Sequence, residues 1–179
     1  GRLVRKKGFG SLLKAAVRLI PNWPTLQVII AGIGDLDDEL RAEVTSLNLN
    51  DNVQFTGKLP QNEIPGYLTA ADLVVVPSIQ DDAGNVDGLP NILMEALASE
   101  TAVVTTKVGG IDAVAVDGRT ALVVPPNDDL ALAMAIENLL KNPARRSELG
   151  QTARAEVCNN YQWTQFASRL DEIYSEAVR

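Results

Sequence analysis

Leu26-Gln27-Val28-Ile29-Ile30-Ala31, closed by Gly32-Ile33-Gly34, is an apolar run of strand length, rich in branched residues and stopped by a glycine turn. Its apolar residues are nearly continuous instead of alternating, the pattern of a strand buried on both faces, as in parallel sheets. The signature returns at Val53-Gln54-Phe55-Thr56, Leu73-Val74-Val75-Val76, Ala102-Val103-Val104-Thr105 and Ala121-Leu122-Val123-Val124. Helical periodicity fills the intervals, at Ser11 to Ile20, Asp35 to Leu47, Asn62 to Ala70 and Asn91 to Ala98. Strand then helix, repeated, predicts an α/β domain with a Rossmann-like, doubly wound parallel sheet. From Asp128 the chain turns helical, with Leu130, Met134 and Leu139 expected on one buried stripe and a break at Asn142-Pro143. In the last segment Trp163 and Phe166 lead to Leu170, Ile173 and Tyr174, and the two aromatics are expected in the core rather than as a stacking platform.

The 179 residues suffice for one domain with a sizeable core and leave no room for a second. A net charge of −7 and a pI near 4.6 set the overall field against nucleic acid and anionic membrane. Any phosphate must then be met by a few local cations and by backbone N–H groups. One cysteine, Cys158, excludes an internal disulfide framework, and the absence of histidine removes the commonest metal ligand and general base. No apolar run approaches 18 residues. The expected location is cytoplasmic, with peripheral attachment to the inner face of a membrane left open. The opening Gly1-Arg2-Leu3, without an initiator methionine, reads as the start of an excised piece, truncated at its N-terminal edge.

In an open parallel sheet, ligands bind beyond the C-terminal ends of the strands. The loops at 32–35, 57–61, 77–91 and 106–112 lie there and hold the unusual glycines, prolines and carboxylates. Gly32-Ile33-Gly34 lacks the third glycine of a dinucleotide fingerprint, with Asp37 in its place, so a tight turn is expected. Arg2, Lys6 and Lys7 form the one dense cationic segment, readable either as a solvated patch or as a diphosphate clamp. The long loop from Asp81 to Gly88 runs into a helix begun by Pro90 and Asn91, whose first-turn N–H groups offer an anion site. Glu95, one turn on, can accept two hydroxyl hydrogen bonds, as a ribose diol requires, while Asp87 lies where a sugar could rest. Asp81, Asp82 and Asp87 lack calcium-loop spacing, and no metal is expected. Val108-Gly109-Gly110-Ile111 is either a turn presenting N–H groups to an anion or a crowded crossover.

Taken in order, these features resemble the C-terminal domain of the retaining, two-domain (GT-B) glycosyltransferases of family 4. The resemblance is carried by Gly1-Arg2-Leu3, Lys7-Gly8, the turn at 32–34, Val53 to Gly57, Ala71-Asp72-Leu73, Pro77-Ser78, and Asp87 through Glu95 into Ala96. It continues through Val103-Val104, Gly109-Gly110-Ile111, Asp117-Gly118-Arg119-Thr120, Leu122 to Pro125 and the segment from Trp163 to Tyr174. The family's paired acids fall on Asp87, expected to touch donor-sugar hydroxyls, and Glu95, expected to hold the ribose. Its phosphate-binding cations fall on Arg2 and Lys7. Backbone at Gly57, Lys58 and Leu59 is implied to cradle the base, and backbone at Gly110 and at Asn91, Ile92 and Leu93 to hold phosphate or sugar. The chain departs from the family with Asp87 where Glu is usual, Asp112-Ala113 where Pro-Glu is usual, and Ser99-Glu100 where Cys-Gly is usual.

The resemblance implies transfer of a glycosyl group with retained configuration from a nucleoside-diphosphate sugar, of UDP or GDP type, without a cofactor or metal. A glycan or lipid-linked acceptor would be presented by an N-terminal domain of the same enzyme. Two alternatives stand beside this reading: a non-catalytic nucleotide-sugar-binding module, and a nucleotide-sugar epimerase of the same architecture.

Overall fold

A computed structural model describes residues 1–177. Five short strands form, β1 (Val28–Ala31), β2 (Val53–Gly57), β3 (Val74–Val76), β4 (Val103–Thr106) and β5 (Leu122–Val124), and every pairing is parallel. Helices α1 (Phe9–Leu19), α2 (Asp37–Ser46), α3 (Ile64–Ala70) and α4 (Asn91–Ala98) occupy the expected intervals. Three more follow β5, namely α5 (Asp129–Lys141), α6 (Pro143–Asn160) and α7 (Trp163–Ala177). Asn142-Pro143 is the break foreseen between the first two, Pro143 standing at the first turn of α6, where its missing N–H costs nothing.

The strands make two parallel sheets, in the orders β1-β2 and β3-β4-β5, with no ladder joining them. The segment before α1 stands between them at the rim. On one side the Gly1 ammonium donates to the Ala31 carbonyl at 2.6 Å and Leu3 N–H to Ile33 O at 3.0 Å. On the other, Ile79 N–H donates to Lys6 O at 2.9 Å. The two sheets are thus tied by residues 1–8 and by shared packing instead of by a continuous ladder.

Side chains on a strand alternate between faces, and β4 shows the consequence. Val104 joins Leu12, Ala15 and Leu19 of α1 with Leu132, Ile136 and Leu139 of α5 on one face. Its neighbour Val103 joins Leu68, Leu93, Leu97, Ile111 and Ala153 on the other. All four β4 residues are buried, as a strand covered by helices on both faces requires. A third cluster, built from Leu3, Leu13, Ile30, Leu40, Val44 and Val53, seats β1 and β2 against α1 and α2. The doubly wound architecture is therefore as the sequence predicts.

Two expectations are corrected. The buried face of α5 is Leu132, Ala133, Ile136 and Leu139, whereas Leu130 and Met134 are 53% and 63% exposed. Packing against α1 buries Leu139 of the expected stripe and leaves Leu130 and Met134 on roughly the opposite side of the helix. Trp163 and Phe166 are not in the core: they are 83% and 56% exposed and meet each other edge to face, with centroids 5.8 Å apart. The whole of α7 buries no residue, because it packs beside neither sheet. None of the helices among the described residues is long and apolar enough to cross a membrane.

Glycine chemistry gives the fold a direct test. Gly150 of α6 is buried where a Cβ would come within 2.0 Å of the Glu100 carbonyl oxygen, at the end of α4. Gly66 of α3 would meet nothing within 4 Å. Gly66→Ala should raise the unfolding free energy from denaturant titration by about 0.5–1 kcal/mol, since alanine has the better helix propensity. Gly150→Ala should lower it by about 1–3 kcal/mol or more through overpacking. Equal effects of one sign would contradict this packing of α6 on α4.

Candidate functional site

The C-terminal ends of the five strands share one rim because the strands share one direction. Its largest loop, between β3 and α4, is folded by its own side chains. The Asp81 carboxylate accepts from Ala83 N–H at 3.0 Å, Asn85 N–H at 2.9 Å and the Asn85 side-chain amide at 3.1 Å, while Gly84 supplies a left-handed turn with φ 80°. The Asn85 side-chain bond, with help from the backbone bonds, holds the Asp81 carboxyl below its ordinary value near 3.8. Asp81 is thus a loop builder, and among the described residues no cluster is arranged to hold a metal ion.

Asp87 lies deeper, with 7% of its surface exposed. Lys7 Nζ stands 2.7 Å from Oδ2 and Lys6 Nζ 3.5 Å from Oδ1, and Ser78 Oγ donates to Oδ2 at 3.1 Å. Lys6 also donates to the Val86 carbonyl at 3.3 Å. The lysines reach this carboxylate because the 3-10 turn Arg5–Lys7 ends at Gly8, in the left-handed region with φ 68°. A Cβ there would sit 1.8 Å from the Pro77 carbonyl oxygen, so glycine alone lets the turn lie against the end of β3. From the β4 side, Gly109 (φ 57°) approaches so closely that a Cβ would fall 1.9 Å from the Asp87 carbonyl oxygen. Next to it, Gly110 N–H donates to the Gly88 carbonyl at 2.6 Å.

Helix α4 starts where the sequence places it. Pro90 precedes it in an extended conformation and offers no side-chain cap. The first-turn N–H groups of Asn91 and Ile92 have no acceptor among the described residues, while Leu93 N–H donates to Pro90 O at 3.0 Å. The free donors at this helix start are therefore Asn91 and Ile92, and the Leu93 side chain is fully buried in the core. Gly110 N–H is engaged by the loop, and the glycine pair packs closely against the backbone of Asp87 and Gly88.

Glu95, one turn along α4, is half-buried and near enough to the Gly1 amine to influence it. A Cβ added to Gly1 would stand 3.8 Å from Lys7 Cε, so Lys7, Glu95 and Gly1 share one corner. Arg2 is exposed beside it and has no ion-pair partner among the described residues. At the other side of Gly1, Gly32 N–H donates to Gly57 O at 2.8 Å. Gly57 is left-handed, with φ 69°, and open space lies where its Cβ would stand. Lys58 is exposed and Leu59 half-buried. A line of contacts thus runs from Gly57 through Gly32 and Gly1 to Lys7, Asp87 and Glu95.

Sequence reasoning missed Ser78, which is fully buried, joins Asp87 through its hydroxyl and accepts from Thr106 Oγ1 through its carbonyl. Its only local signal is a hydroxyl placed just after a strand end beside Pro77. A cavity of about 300 Å³ lies elsewhere, lined by Asp72, Thr101 and Arg146 near the starts of β3 and β4. Arg146 is already engaged there by Asp72 and by the carbonyls of Leu139 and Leu140.

The strand-end rim of this parallel α/β domain thus presents free helix-terminal donors, cations and a half-buried carboxylate, at the edge where open parallel sheets take ligands. The family model described as "Glycosyl transferases group 1" matches residues 1–156, and the chain belongs to that family. A GDP-mannose-dependent alpha-(1-6)-phosphatidylinositol monomannoside mannosyltransferase of Mycolicibacterium smegmatis is 32% identical over 97% of this chain and 46% of its own length. A D-inositol 3-phosphate glycosyltransferase of Corynebacterium diphtheriae is 34% identical over 99% of this chain and 42% of its own. The chain therefore spans somewhat less than half the length of these curated relatives. Among solved structures, the C-terminal domain of a glycosyl transferase group 1 family protein (LpcC) from Francisella tularensis superposes with TM-score 0.78 at 27% identity. That match covers 91% of this chain and 84% of that one. Anabaena HepE, solved in complex with UDP, shares the fold with TM-score 0.87 at 23% identity, over 98% of this chain and 47% of its own. The architecture is that of a GT-B C-terminal domain.

Two measurements check this geometry. Asp81 should titrate below 3.8 when its side-chain carbonyl is followed by NMR, and Asn85→Ala should move the midpoint upward. The sign follows from linkage. A depressed carboxylate pKa contributes stability that is whole above the unfolded value and is lost as pH falls through the lower folded value. An unmoved midpoint would remove Asn85 from the loop's frame. Gly109→Ala should also speed hydrogen exchange at the Gly110 amide by about tenfold or more, because it forces the turn off the Asp87-Gly88 backbone. Unchanged protection would contradict the close approach.

Proposed function

We propose that this chain is the donor-binding half of a retaining glycosyltransferase that moves a sugar from a nucleoside-diphosphate sugar to an acceptor in glycan or polysaccharide synthesis. The observation that carries the reading is convergence. In a chain of this family, the free N–H groups of Asn91 and Ile92, the Lys7 ammonium and the Glu95 carboxylate meet at one rim.

In this reading the diphosphate lies over the start of α4. There Asn91 and Ile92 N–H, Lys7 and Arg2 supply positive potential, and Glu95 accepts from the ribose hydroxyls. Backbone around Gly57, Lys58 and Leu59 borders the open space that receives the base. As the glycosidic bond breaks, negative charge gathers on the leaving diphosphate. Donors already aimed at that position stabilise the transition state without reorganising. The donor is of UDP or GDP type: HepE has been solved with UDP-glucose, and the Mycolicibacterium relative is named for GDP-mannose. The glycan or lipid-linked acceptor would be held by an N-terminal domain of the same enzyme, in keeping with relatives more than twice as long as this chain. The enzyme acts in the cytoplasm, with peripheral contact to the inner membrane face where the acceptor carries a lipid.

Calorimetric titration should show UDP or GDP binding this chain more tightly than NAD, with affinity falling as salt rises. Tightest binding by NAD would overturn the reading. Glu95→Gln preserves shape but removes charge assistance from the diol contact, worth about 1.5–3 kcal/mol, and should weaken UDP or GDP binding by roughly ten- to a hundredfold. No change would return Glu95 to the ordinary surface. The chain alone should bind donor yet transfer no sugar, because the orientation gained between two substrates is lost when the acceptor wall is missing. Robust transfer from a radiolabelled donor by residues 1–179 would contradict the half-enzyme assignment.

A further inference from the structure

We infer that Ser78 is a positioning residue: from beneath the rim it holds one oxygen of the Asp87 carboxylate, so that the other faces the hydroxyls of the donor sugar. The inference rests on the nucleotide-sugar reading above, with Asp87 as the sugar contact that the family resemblance implies, and adds a residue that acts from behind that contact. Ser78 Oγ donates to Asp87 Oδ2 at 3.1 Å, and the serine is fully buried. Lys7 Nζ meets the same oxygen at 2.7 Å. Among the described residues Oδ1 has only Lys6 Nζ, at 3.5 Å. Oδ1 is therefore the less engaged oxygen and the one left for a ligand's hydroxyls.

The serine can act in this way because its own backbone is held from two sides. Thr105 Oγ1 donates to the Val76 carbonyl at 2.9 Å, and Thr106 Oγ1 donates to the Ser78 carbonyl. The ladder between β3 and β4 ends at Val76 and Thr105, so the Thr106 hydroxyl extends the hold on the chain two residues past the last paired one. Both threonines are buried. From the other side, Ile79 N–H donates to Lys6 O at 2.9 Å, which ties the residue after Ser78 to the turn that carries the lysines.

What the serine supplies and the lysines do not is direction. Lys6 and Lys7 end in compact ammonium groups on flexible stems, with 26% and 19% of their side chains exposed, and such a head attracts a carboxylate from many angles. The Ser78 hydroxyl sits on a short side chain in a fully buried place, so it gives up little rotamer freedom and fixes the plane of the carboxylate. With Oδ2 bound by Ser78 and Lys7 together, rotation of the carboxylate is resisted and Oδ1 keeps its orientation. Sugar hydroxyls then meet an acceptor that need not reorganise. Without the hydroxyl, two mobile cations would be free to draw the carboxylate in either sense.

The test compares Ser78→Ala with the unaltered chain by calorimetric titration. The variant should weaken binding of UDP-glucose, or of GDP-mannose, by roughly three- to tenfold, the effect of one hydrogen bond, while UDP or GDP alone binds as before. Unchanged affinity for the free nucleotide also shows that the rim has kept its fold. In an Asp87→Ala background, Ser78→Ala should weaken the nucleotide sugar no further. A serine that only packs the domain would affect both ligands alike, so equal losses for nucleotide and nucleotide sugar, or no loss for either, would overturn the inference. A second readout needs no nucleotide. In crystals of the ligand-free chain Asp87 should occupy one side-chain conformer against Ser78 Oγ, and in Ser78→Ala its carboxylate should be turned or divided between two conformers. A carboxylate left unmoved by Ser78→Ala would overturn the inference even if sugar binding changed. If the native chain binds neither free nucleotide nor nucleotide sugar, the nucleotide-sugar reading falls and takes the sugar part of the inference with it. A native chain that binds both while Ser78→Ala loses nothing refutes the inference alone.

Discussion

The parallel direction of the strands is the constraint on which the remainder depends. Within each sheet the strands point one way, and residues 1–8 bond both to the end of β1 and to the segment after β3, so the loops emerge at one edge and must share it. They share it by backbone contact: Gly32 against Gly1, Gly8 against Pro77, Gly109 against Asp87, each too close for a Cβ. Glycine at those positions lets loops from separate strands touch, and the touching brings together residues far apart in sequence. The same direction places the start of α4, with its unpaired donors, at that edge.

Electrostatics then divides the chain in two. Most of its surface carries the excess of acid that gives the net charge of −7, a field unfavourable to any anion. At the rim Arg2, Lys6, Lys7 and the start of α4 gather positive groups beside one another, with Asp87 buried against the two lysines as their counter-ion. A few oriented charges in a partly buried setting outweigh many screened ones at a distance. An acidic protein can therefore offer a phosphate site without becoming a general binder of polyanions.

Much of the fold was legible from residue order. Consecutive branched residues at 74–76 and 103–105 announce strands covered on both faces, and Pro90-Asn91 marks the start of α4 to the residue. Neither Leu130 and Met134 nor Trp163 and Phe166 could be placed from their own periodicity, because which stripe of a helix is buried depends on what packs against it. Leu132 and Ile136 face α1, a helix more than a hundred residues earlier, and α7 buries none of its described residues. The division into two sheets was equally hidden, since β1 and β3 carry ordinary strand patterns. For the site, residue types found most of the rim, but the bonds among them were out of reach. The pairing of Lys7 with Asp87 spans 80 positions, and Ser78 shows its part only once β3 delivers it beneath that carboxylate. That the glycine pair 109–110 packs on the backbone of Asp87 and Gly88 was likewise beyond residue order.

A crystal structure of the chain with a bound nucleoside-diphosphate sugar tests the central claim most directly. The account predicts diphosphate density within hydrogen-bond distance of Asn91 and Ile92 N–H and of Lys7 Nζ, the ribose diol on Glu95, and the base beside Gly57. A nucleotide bound away from the strand-end rim, or one whose phosphates avoid the start of α4, would contradict it.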